Sequence, residues 1–97
     1  MRIIARKTLR DFWQKHKDTE QPLRAWFQIT KKANWINYNE IKALFPSASL
    51  IGNDRVVFNI KGNNYRLVVR ILFNQKKIFI RFIGTHNDYN KIDVKKI

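Results

Sequence analysis

The sequence contains no cysteine, which excludes disulfide bonds, thiolate metal sites and thiol catalysis. Its three glycines are isolated, so it has no glycine-rich loop of the kind that cradles phosphates. Its 7 acidic residues are scattered, and none is paired with another or with histidine at the spacing of metal ligands. We therefore expect no metal site, no cofactor and no nucleophilic triad.

Long apolar segments are also missing. No run approaches the roughly 18–20 apolar residues that a membrane-spanning helix needs. The opening MRIIARKTLR lacks the apolar core of a signal peptide. With the absence of cysteine, which fits a reducing compartment, these features predict a soluble cytoplasmic protein with no membrane partner. At 97 residues, we expect one domain spanning 1–97.

The chain is strongly basic. Its 20 Lys and Arg against 7 acids give a net charge of +13, which implies a polyanionic partner. An AT-rich genome would by itself enrich lysine, asparagine and isoleucine, but it would not account for the arginines. Nucleic acid or the ribosome is the partner that the charge favours.

Two amphipathic helices are predicted near the start. After a short apolar edge strand over residues 2–4, residues 5–17 and 23–33 show apolar spacings of three and four, with a turn at 18–22 between them. The apolar stripes contain Leu9, Phe12, Trp13, His16, Leu23, Trp26 and Phe27. We interpret them as core of a helical hairpin and His16 as structural, whereas a base-stacking platform is the less favoured alternative.

Asn37 and Glu40 form a capping-box pattern that predicts a short third helix, which Pro46 ends. Residues 47–54 are expected to form a connection with strand content at 49–51. The basic tail, residues 91–97, is expected to pack loosely.

Residues 55–89 are predicted to form three antiparallel strands joined by two tight turns. The Gly62-Asn63 turn sets Ile60 opposite Tyr65 and Arg55 opposite Arg70. The second turn, at 74–77, sets Ile71 opposite Ile80 and Arg70 opposite Arg81. The helix-facing side then contains Val56, Phe58, Ile60, Leu67, Val69, Ile71, Phe73, Ile78, Ile80 and Phe82. The other side contains Arg55, Val57, Asn59, Lys61, Arg66, Val68, Arg70, Phe79, Arg81 and Ile83.

This register places Arg55, Arg70 and Arg81 in one row across the sheet. Like charges directly opposite destabilise a sheet, and residues 55–87 contain no acid that would neutralise them. An ordinary solvated outer face is the alternative, but such a face usually mixes charge signs. We interpret it as an anion-binding face, because the planar fork of arginine grips two phosphate oxygens.

His86 and Tyr89 follow the last strand. Histidine is the side chain best suited to proton transfer at physiological pH, so His86 is a candidate general acid or base beside an arginine-lined face, although a histidine in isolation is more often only a surface residue. An enzyme of this kind would cleave phosphodiesters without a metal. On RNA, the 2′-hydroxyl would be the internal nucleophile and arginines would stabilise the charged phosphorane.

Two segments resemble the HigB-type toxins of bacterial toxin–antitoxin systems. They are VFNIKGNNYRLVVRI at 57–71 and IRFIGTHNDYNKID at 80–93, and FPSAS at 45–49 and the opening MRIIARKTLRDFW are also similar. The resemblance implies an α+β protein with the RelE-like fold, an N-terminal helical hairpin packed on one face of a twisted antiparallel sheet. It also implies an endoribonuclease, an mRNA interferase that usually cuts mRNA on the ribosome and so inhibits translation and growth.

The partner that the resemblance implies is a HigA-type helix-turn-helix antitoxin, so that DNA is contacted only through the antitoxin complex. The motifs carry over Arg66, Arg81, His86 and Tyr89 as catalytic candidates. The predicted RNA-binding residues are Arg55, Asn59, Lys61, Arg70 and Lys91. Which of the catalytic candidates is the general acid and which is the general base stays open at this point.

Two other functions remain as alternatives. A non-catalytic RNA- or ribosome-binding module would use the same basic face without cleaving RNA. A DNA-binding regulator would read DNA with the helical hairpin. It ranks last, since the arginines lie on the sheet and the hairpin lacks a glycine-containing tight turn.

Overall fold

The computed structural model describes residues 1–52 and 54–97. Asn53, which belongs to the predicted connection 47–54, lies outside the described residues. The helices are α1 (Arg6–Lys15), α2 (Glu20–Lys32), α3 (Tyr38–Leu44) and α4 (His86–Tyr89). The strands are β1 (Arg2–Ile4), β2 (Ser49–Ile51), β3 (Arg55–Ile60), β4 (Tyr65–Leu72) and β5 (Lys77–Thr85). Short 3₁₀ turns occupy Lys17–Thr19, Phe73–Gln75 and Val94–Lys96.

The predicted helical hairpin is confirmed. The first helix begins and ends one or two residues inside the expected bounds, whereas the second begins at Glu20, three residues before the predicted start and within the predicted turn. The apolar stripes are the reason for its packing: Leu9, Trp13, Leu23 and Trp26 are all buried. They lie in one core cluster with Phe58, Leu67 and the inward residues of the sheet. The aromatic rings of the helices therefore belong to the core, as expected.

The third helix begins at the predicted cap. Asn37 Oδ1 accepts a hydrogen bond from the Glu40 N–H at 3.2 Å. Glu40 Oε1 in turn accepts one from the Ile36 N–H at 2.7 Å, one residue earlier than a standard capping box would place it. The helix ends at Leu44, shortly before Pro46, and the predicted strand at 49–51 follows as β2.

The sheet has five strands in the order β1-β5-β4-β3-β2. β2, β3, β4 and β5 are antiparallel neighbours, and the predicted edge strand β1 pairs with β5 in parallel. Helices α1 and α2 pack on one face, which we call the inner face, and the opposite one is the outer face. The α+β class and its agreement with the RelE-like fold are confirmed. In the part of the chain that the structure describes, no helix could cross a membrane.

The first hairpin has the predicted register. Ile60 pairs with Tyr65, Asn59 with Arg66 and Arg55 with Arg70. The four residues between the strands, 61–64, form a turn in which Lys61 and Gly62 both have positive φ, 51° and 65°. We call this segment the β3–β4 turn.

The predicted register of the second hairpin is wrong. Arg70 pairs with Phe79 and Ile71 with Ile78, so Arg70 does not face Arg81. Lys76 takes the left-handed conformation (φ 56°) and closes the turn early, which places Lys77 opposite Leu72. The predicted row of three arginines therefore does not form.

A bulge in β5 also changes the two faces of that strand. Val69 pairs with Ile80 and Val68 with Phe82, which leaves Arg81 as the extra residue. Because one inserted residue reverses the alternation, Phe82 lies on the outer face and Ile83 packs against the inner core, opposite to the prediction. Phe73 contacts the inner core as predicted.

The C-terminal tail is not loose, which corrects the prediction for residues 91–97. Val94 is only 9% exposed and packs with Val57 and Val68 on the outer face. This outer cluster also includes Ile51, Phe82, Tyr89, Ile92 and Ile97. Apolar residues in the tail cover the valines of the sheet, so part of the predicted anion-binding face is buried under the chain's own C-terminal segment.

Candidate functional site

Arg66 is the second residue of β4 and is not part of the outer cluster that the tail covers. On β4 it faces Asn59 of β3 on one side and Gly84 of β5 on the other. Side chains directly opposite each other in a sheet project from the same face, so Asn59 and Arg66 are neighbours there. Gly84 has no side chain, and the space that one would take is occupied by the Phe82 ring and by Cβ of Asp88.

The Arg66 guanidinium is held between the β3–β4 turn and α4. Nη1 donates to the main-chain oxygen of Asn63 at 2.9 Å, and the guanidinium carbon lies 5.9 Å from the centroid of the Tyr89 ring. Within the described residues, all hydrogen bonds of this side chain use Nη1, to Asn63 and to the Tyr65 carbonyl. A guanidinium has five N–H donors, so most of the fork is available to an anion.

His86 begins α4 beside the same turn. Its main-chain N–H donates to the Asn64 carbonyl at 3.1 Å, and its side chain is exposed. Thr85 caps the helix, because its Oγ1 accepts from the Asp88 N–H at 3.1 Å. The structure therefore brings Arg66, His86 and Tyr89 together, and the adjacent carbonyls of Asn63 and Asn64 fix two of the three.

Lys61 contacts an acid of the helical hairpin. Its Nζ lies 3.0 Å from Asp18 Oδ2, and the Tyr65 hydroxyl donates to the same carboxylate at 3.0 Å. The hydrogen bond from Lys61 is the largest cause that lowers the pKa of Asp18 below its usual range. Burial, followed by the hydrogen bond to Asp18, raises the pKa of Tyr65.

Arg81 lies apart from Arg66. It is the extra residue of the β5 bulge, is exposed, and has its guanidinium carbon 5.8 Å from the centroid of the Phe79 ring. It precedes Gly84, the residue opposite Arg66, by three positions, which corresponds to about 10 Å along a strand. Lys91 is exposed just after α4.

Arg55 and Arg70 share one acid, Asp54, contrary to the prediction that no acid lies beside them. Asp54 Oδ1 lies 2.6 Å from Arg55 Nη1, and Asp54 Oδ2 lies 2.8 Å from Arg70 Nε. Arg55 also donates from Nε to the Ile97 main-chain oxygen at 2.9 Å, and its side chain is only 15% exposed. The hydrogen bond from Arg70 is the largest cause that lowers the pKa of Asp54.

Several contributors to the site do not appear among the residues chosen from the sequence. Asn63 and Asn64 act through main-chain carbonyls, so their side chains gave no signal beyond that of a turn. Asp54 lies one position before the acid-free range 55–87. Asp18 is 43 residues from Lys61, and only the folded hairpin brings the two together.

Comparison with known proteins identifies the family. Residues 19–92 match the family described as HigB toxin, RelE-like toxic component of a toxin–antitoxin system. The chain is 30% identical over 92 residues to the mRNA interferase toxin HigB of Escherichia coli (strain K12), covering 93% of this chain and 88% of that protein. The mRNA interferase HigB of Shigella flexneri gives the same values. That of Escherichia coli O6:H1 is 24% identical over 94 residues, covering 95% and 91%.

The family match contains Arg66, His86 and Tyr89, and it begins at Thr19, beside the loop that holds Asp18. The relatives' shared name, mRNA interferase, agrees with the endoribonuclease activity predicted from the sequence. A member of this family has an antitoxin as its partner, since it is one component of a two-component system. The chain thus belongs to the HigB toxin family, the RelE-like toxic components of toxin–antitoxin systems.

Proposed function

We propose that this toxin is an endoribonuclease that cleaves mRNA and thereby stops translation and growth. The observation that carries the proposal is the grouping of Arg66, His86 and Tyr89 around the β3–β4 turn. This group combines a cation for a phosphate, a side chain able to move protons near neutral pH, and an aromatic ring. The names of the relatives support mRNA as the substrate.

The reaction that fits these groups uses the RNA as its own nucleophile. A general base takes the proton of the 2′-hydroxyl, whose oxygen attacks the adjacent phosphorus. The bond from phosphorus to the 5′-oxygen then breaks, and a general acid protonates that oxygen. The products are a 2′,3′-cyclic phosphate and a 5′-hydroxyl. Arg66 stabilises the charge that develops on the phosphorane oxygens, and His86 carries one of the two proton transfers.

The remaining residues bind RNA in this proposal. Tyr89 stacks on or orients a base beside the Arg66 guanidinium. Asn59, directly opposite Arg66, and Lys91, just after α4, contact the nucleotide and its backbone. Arg81, about 10 Å along the strand from the position opposite Arg66, binds a flanking phosphate.

Two predicted RNA-binding residues are left out of this arrangement. Arg55 and Arg70 share the carboxylate of Asp54, and Arg55 holds the end of the tail through Ile97. Both guanidinium groups are engaged by this carboxylate, which offsets part of their charge, so their role in the proposal is to secure the outer cluster. Lys61 is paired with Asp18.

We further propose that the antitoxin is of the HigA helix-turn-helix type, that cleavage takes place on the ribosome, and that the toxin acts in the cytoplasm. A net charge of +13 on 97 residues supports binding to RNA and ribosomes and to acidic segments of a partner.

The first test is induced expression of the wild type and of Arg66→Ala, Arg81→Ala and His86→Ala, with Lys95→Ala as an exposed control. Growth arrest is expected with the wild type and Lys95→Ala, together with new mRNA 5′-hydroxyl ends. Arg66→Ala and His86→Ala should relieve both effects, because removing a transition-state contact costs roughly 100-fold or more in rate. Binding of RNA by the wild type without new ends, with ribosomes present, would instead support a non-catalytic module.

A further inference from the structure

We propose that Asp18, in the loop between the two helices, is a positioning residue for RNA cleavage. It clamps the β3–β4 turn to the helical hairpin, and the clamped turn holds Arg66 and His86 in place. This inference rests on the proposed function, because the groups being positioned are those assigned to the cleavage reaction.

Asp18 contacts both sides of the turn. Its carboxylate receives Lys61 Nζ at 3.0 Å and the Tyr65 hydroxyl at 3.0 Å, and these two residues begin and follow the segment 61–64. Apart from its hydrogen bonds to Arg66 and His86, the turn is weakly restrained. All four of its residues are exposed, and its internal hydrogen bond, from the Asn64 N–H to the Lys61 carbonyl, is 3.3 Å long. A charge-assisted contact on each side therefore supplies restraint that packing does not.

The helical side of the clamp is rigid. Thr19, next to Asp18, is fully buried, and its Oγ1 donates to the His16 carbonyl at 2.7 Å. The Tyr65 ring makes edge contacts with the rings of Phe12 and His16, at centroid distances of 5.7 and 5.8 Å. Asp18 is thus fixed to the core of the protein through the 3₁₀ turn Lys17–Thr19.

The other side of the turn carries the proposed reacting groups. The Asn63 carbonyl accepts from Arg66 Nη1, and the next carbonyl, that of Asn64, accepts from the His86 N–H. A shift of the turn therefore moves the Arg66 fork and the start of α4 together. Misplacing a catalytic group by about 1 Å can cost up to roughly 100-fold in rate.

Asp18 is ionised at neutral pH, so its contacts with Lys61 and Tyr65 persist there. Because hydrogen bonding to Lys61 lowers the pKa of Asp18, the carboxylate is charged throughout the neutral range. The Asp18–Lys61 pair is otherwise an exposed ion pair, with side chains 41% and 47% exposed. Such pairs contribute little to global stability, so its role is expected to appear in the reaction rather than in the melting temperature.

The test is single-turnover cleavage of mRNA on programmed ribosomes, with the maximal rate constant and the half-saturating toxin concentration measured separately. Asp18→Ala should lower the maximal rate about 10-fold and leave half-saturation within about twofold. Asp18→Asn keeps an acceptor for Tyr65 and should lose less, about threefold, while Tyr65→Phe should lose a similar amount. Asp11→Ala removes an exposed pair with Lys7, at 3.7 Å on α1, and should change neither quantity.

A second measurement keeps the inference separate from the proposed activity. Amide hydrogen exchange at His86 reports its bond to the Asn64 carbonyl, and Asp18→Ala should speed this exchange several-fold while Asp11→Ala does not. Unchanged His86 exchange, an unchanged maximal rate, or an effect on half-saturation alone would overturn the role of Asp18. Absence of cleavage by the wild type, with His86 exchange still faster in Asp18→Ala, would overturn the proposed function but leave the clamp itself supported.

Discussion

Arg66 of β4 and Gly84 of β5 are directly opposite each other, and the Phe82 ring leaves no room for a side chain at position 84. A Cβ added at Gly84 would lie 2.6 Å from Cζ of Phe82 and 3.2 Å from Cβ of Asp88. The Phe82 ring, turned to the outer face by the β5 bulge, thus occupies the space above the glycine. The β5 bulge, the Phe82 ring and Gly84 therefore form the surroundings of the proposed catalytic residue Arg66 on its β5 side.

Gly84→Ala should therefore destabilise the protein and slow cleavage. The new methyl group forces the Phe82 ring out of the outer cluster, at a cost of about 1–3 kcal/mol in the free energy of unfolding. Urea denaturation measures that cost. Phe82→Leu, which lacks Cζ, provides the matched background: in it, the added cost of Gly84→Ala should fall by at least half. An equal cost in both backgrounds would show that the ring is not the obstacle.

Asp54→Ala should destabilise the protein because it removes the carboxylate shared by Arg55 and Arg70. These two arginines are directly opposite each other, and like charges in that position repel. We expect a loss of about 1–2 kcal/mol in the free energy of unfolding, since both lost contacts involve charged groups and the site is partly exposed. Chemical denaturation of Asp54→Ala and of the surface control Asp11→Ala measures the difference.

The repulsion between Arg55 and Arg70 can be tested separately from the loss of the contacts with Asp54. In the Asp54→Ala background, Arg70→Gln removes one of the two like charges and should recover part of the lost stability. In the wild type, the same substitution should be destabilising, because it breaks the 2.8 Å contact with Asp54. A substitution with the same effect in both backgrounds would mean that Asp54 does not couple to Arg70.

Acid should destabilise the protein through Asp54. Hydrogen bonding, above all from Arg70, lowers the pKa of this carboxyl in the folded state. A lowered folded pKa gives stability that is fully present above the unfolded pKa, about 3.9, and that is lost as the pH falls through the folded pKa. Urea unfolding at pH 7, 4 and 3 should show the loss below about pH 4, and Asp54→Asn should show a smaller one. A stability of the wild type that does not change with pH would contradict the lowered pKa of Asp54.

The sequence predicted the helices and the first hairpin because local signals were strong there. The apolar stripes at three- and four-residue spacing, the Asn37 cap and the Gly62-Asn63 turn each favoured a single local arrangement. The second hairpin had no such signal. Neither the left-handed conformation of Lys76 nor the bulge at Arg81 is indicated by the residue type. Together they changed the register of the second hairpin and the faces of β5.

The candidate site was predictable in part for a related reason. Arg66, His86 and Tyr89 were chosen from motifs, and they lie around one turn. The acids that organise the surrounding arginines and lysines could not be found by scanning one segment. Asp18 reaches Lys61 from a different element, and Asp54 lies just outside the acid-free range. Long-range pairing of charges depends on the packing of the hairpin on the sheet, which composition does not contain.

The packing of the C-terminal segment on the outer face can be tested at Val94. Val94→Ser should cost about 1–2 kcal/mol in the free energy of unfolding, because Val94 packs against Val57 and Val68. It should also slow cleavage, since Tyr89 belongs to the same cluster and contacts Arg66. Lys95→Ser, one residue later and exposed, is the matched control and should change neither stability nor rate. If the tail were loose, both variants would behave alike, because the side chain of Val94 would then be as free as that of its neighbour.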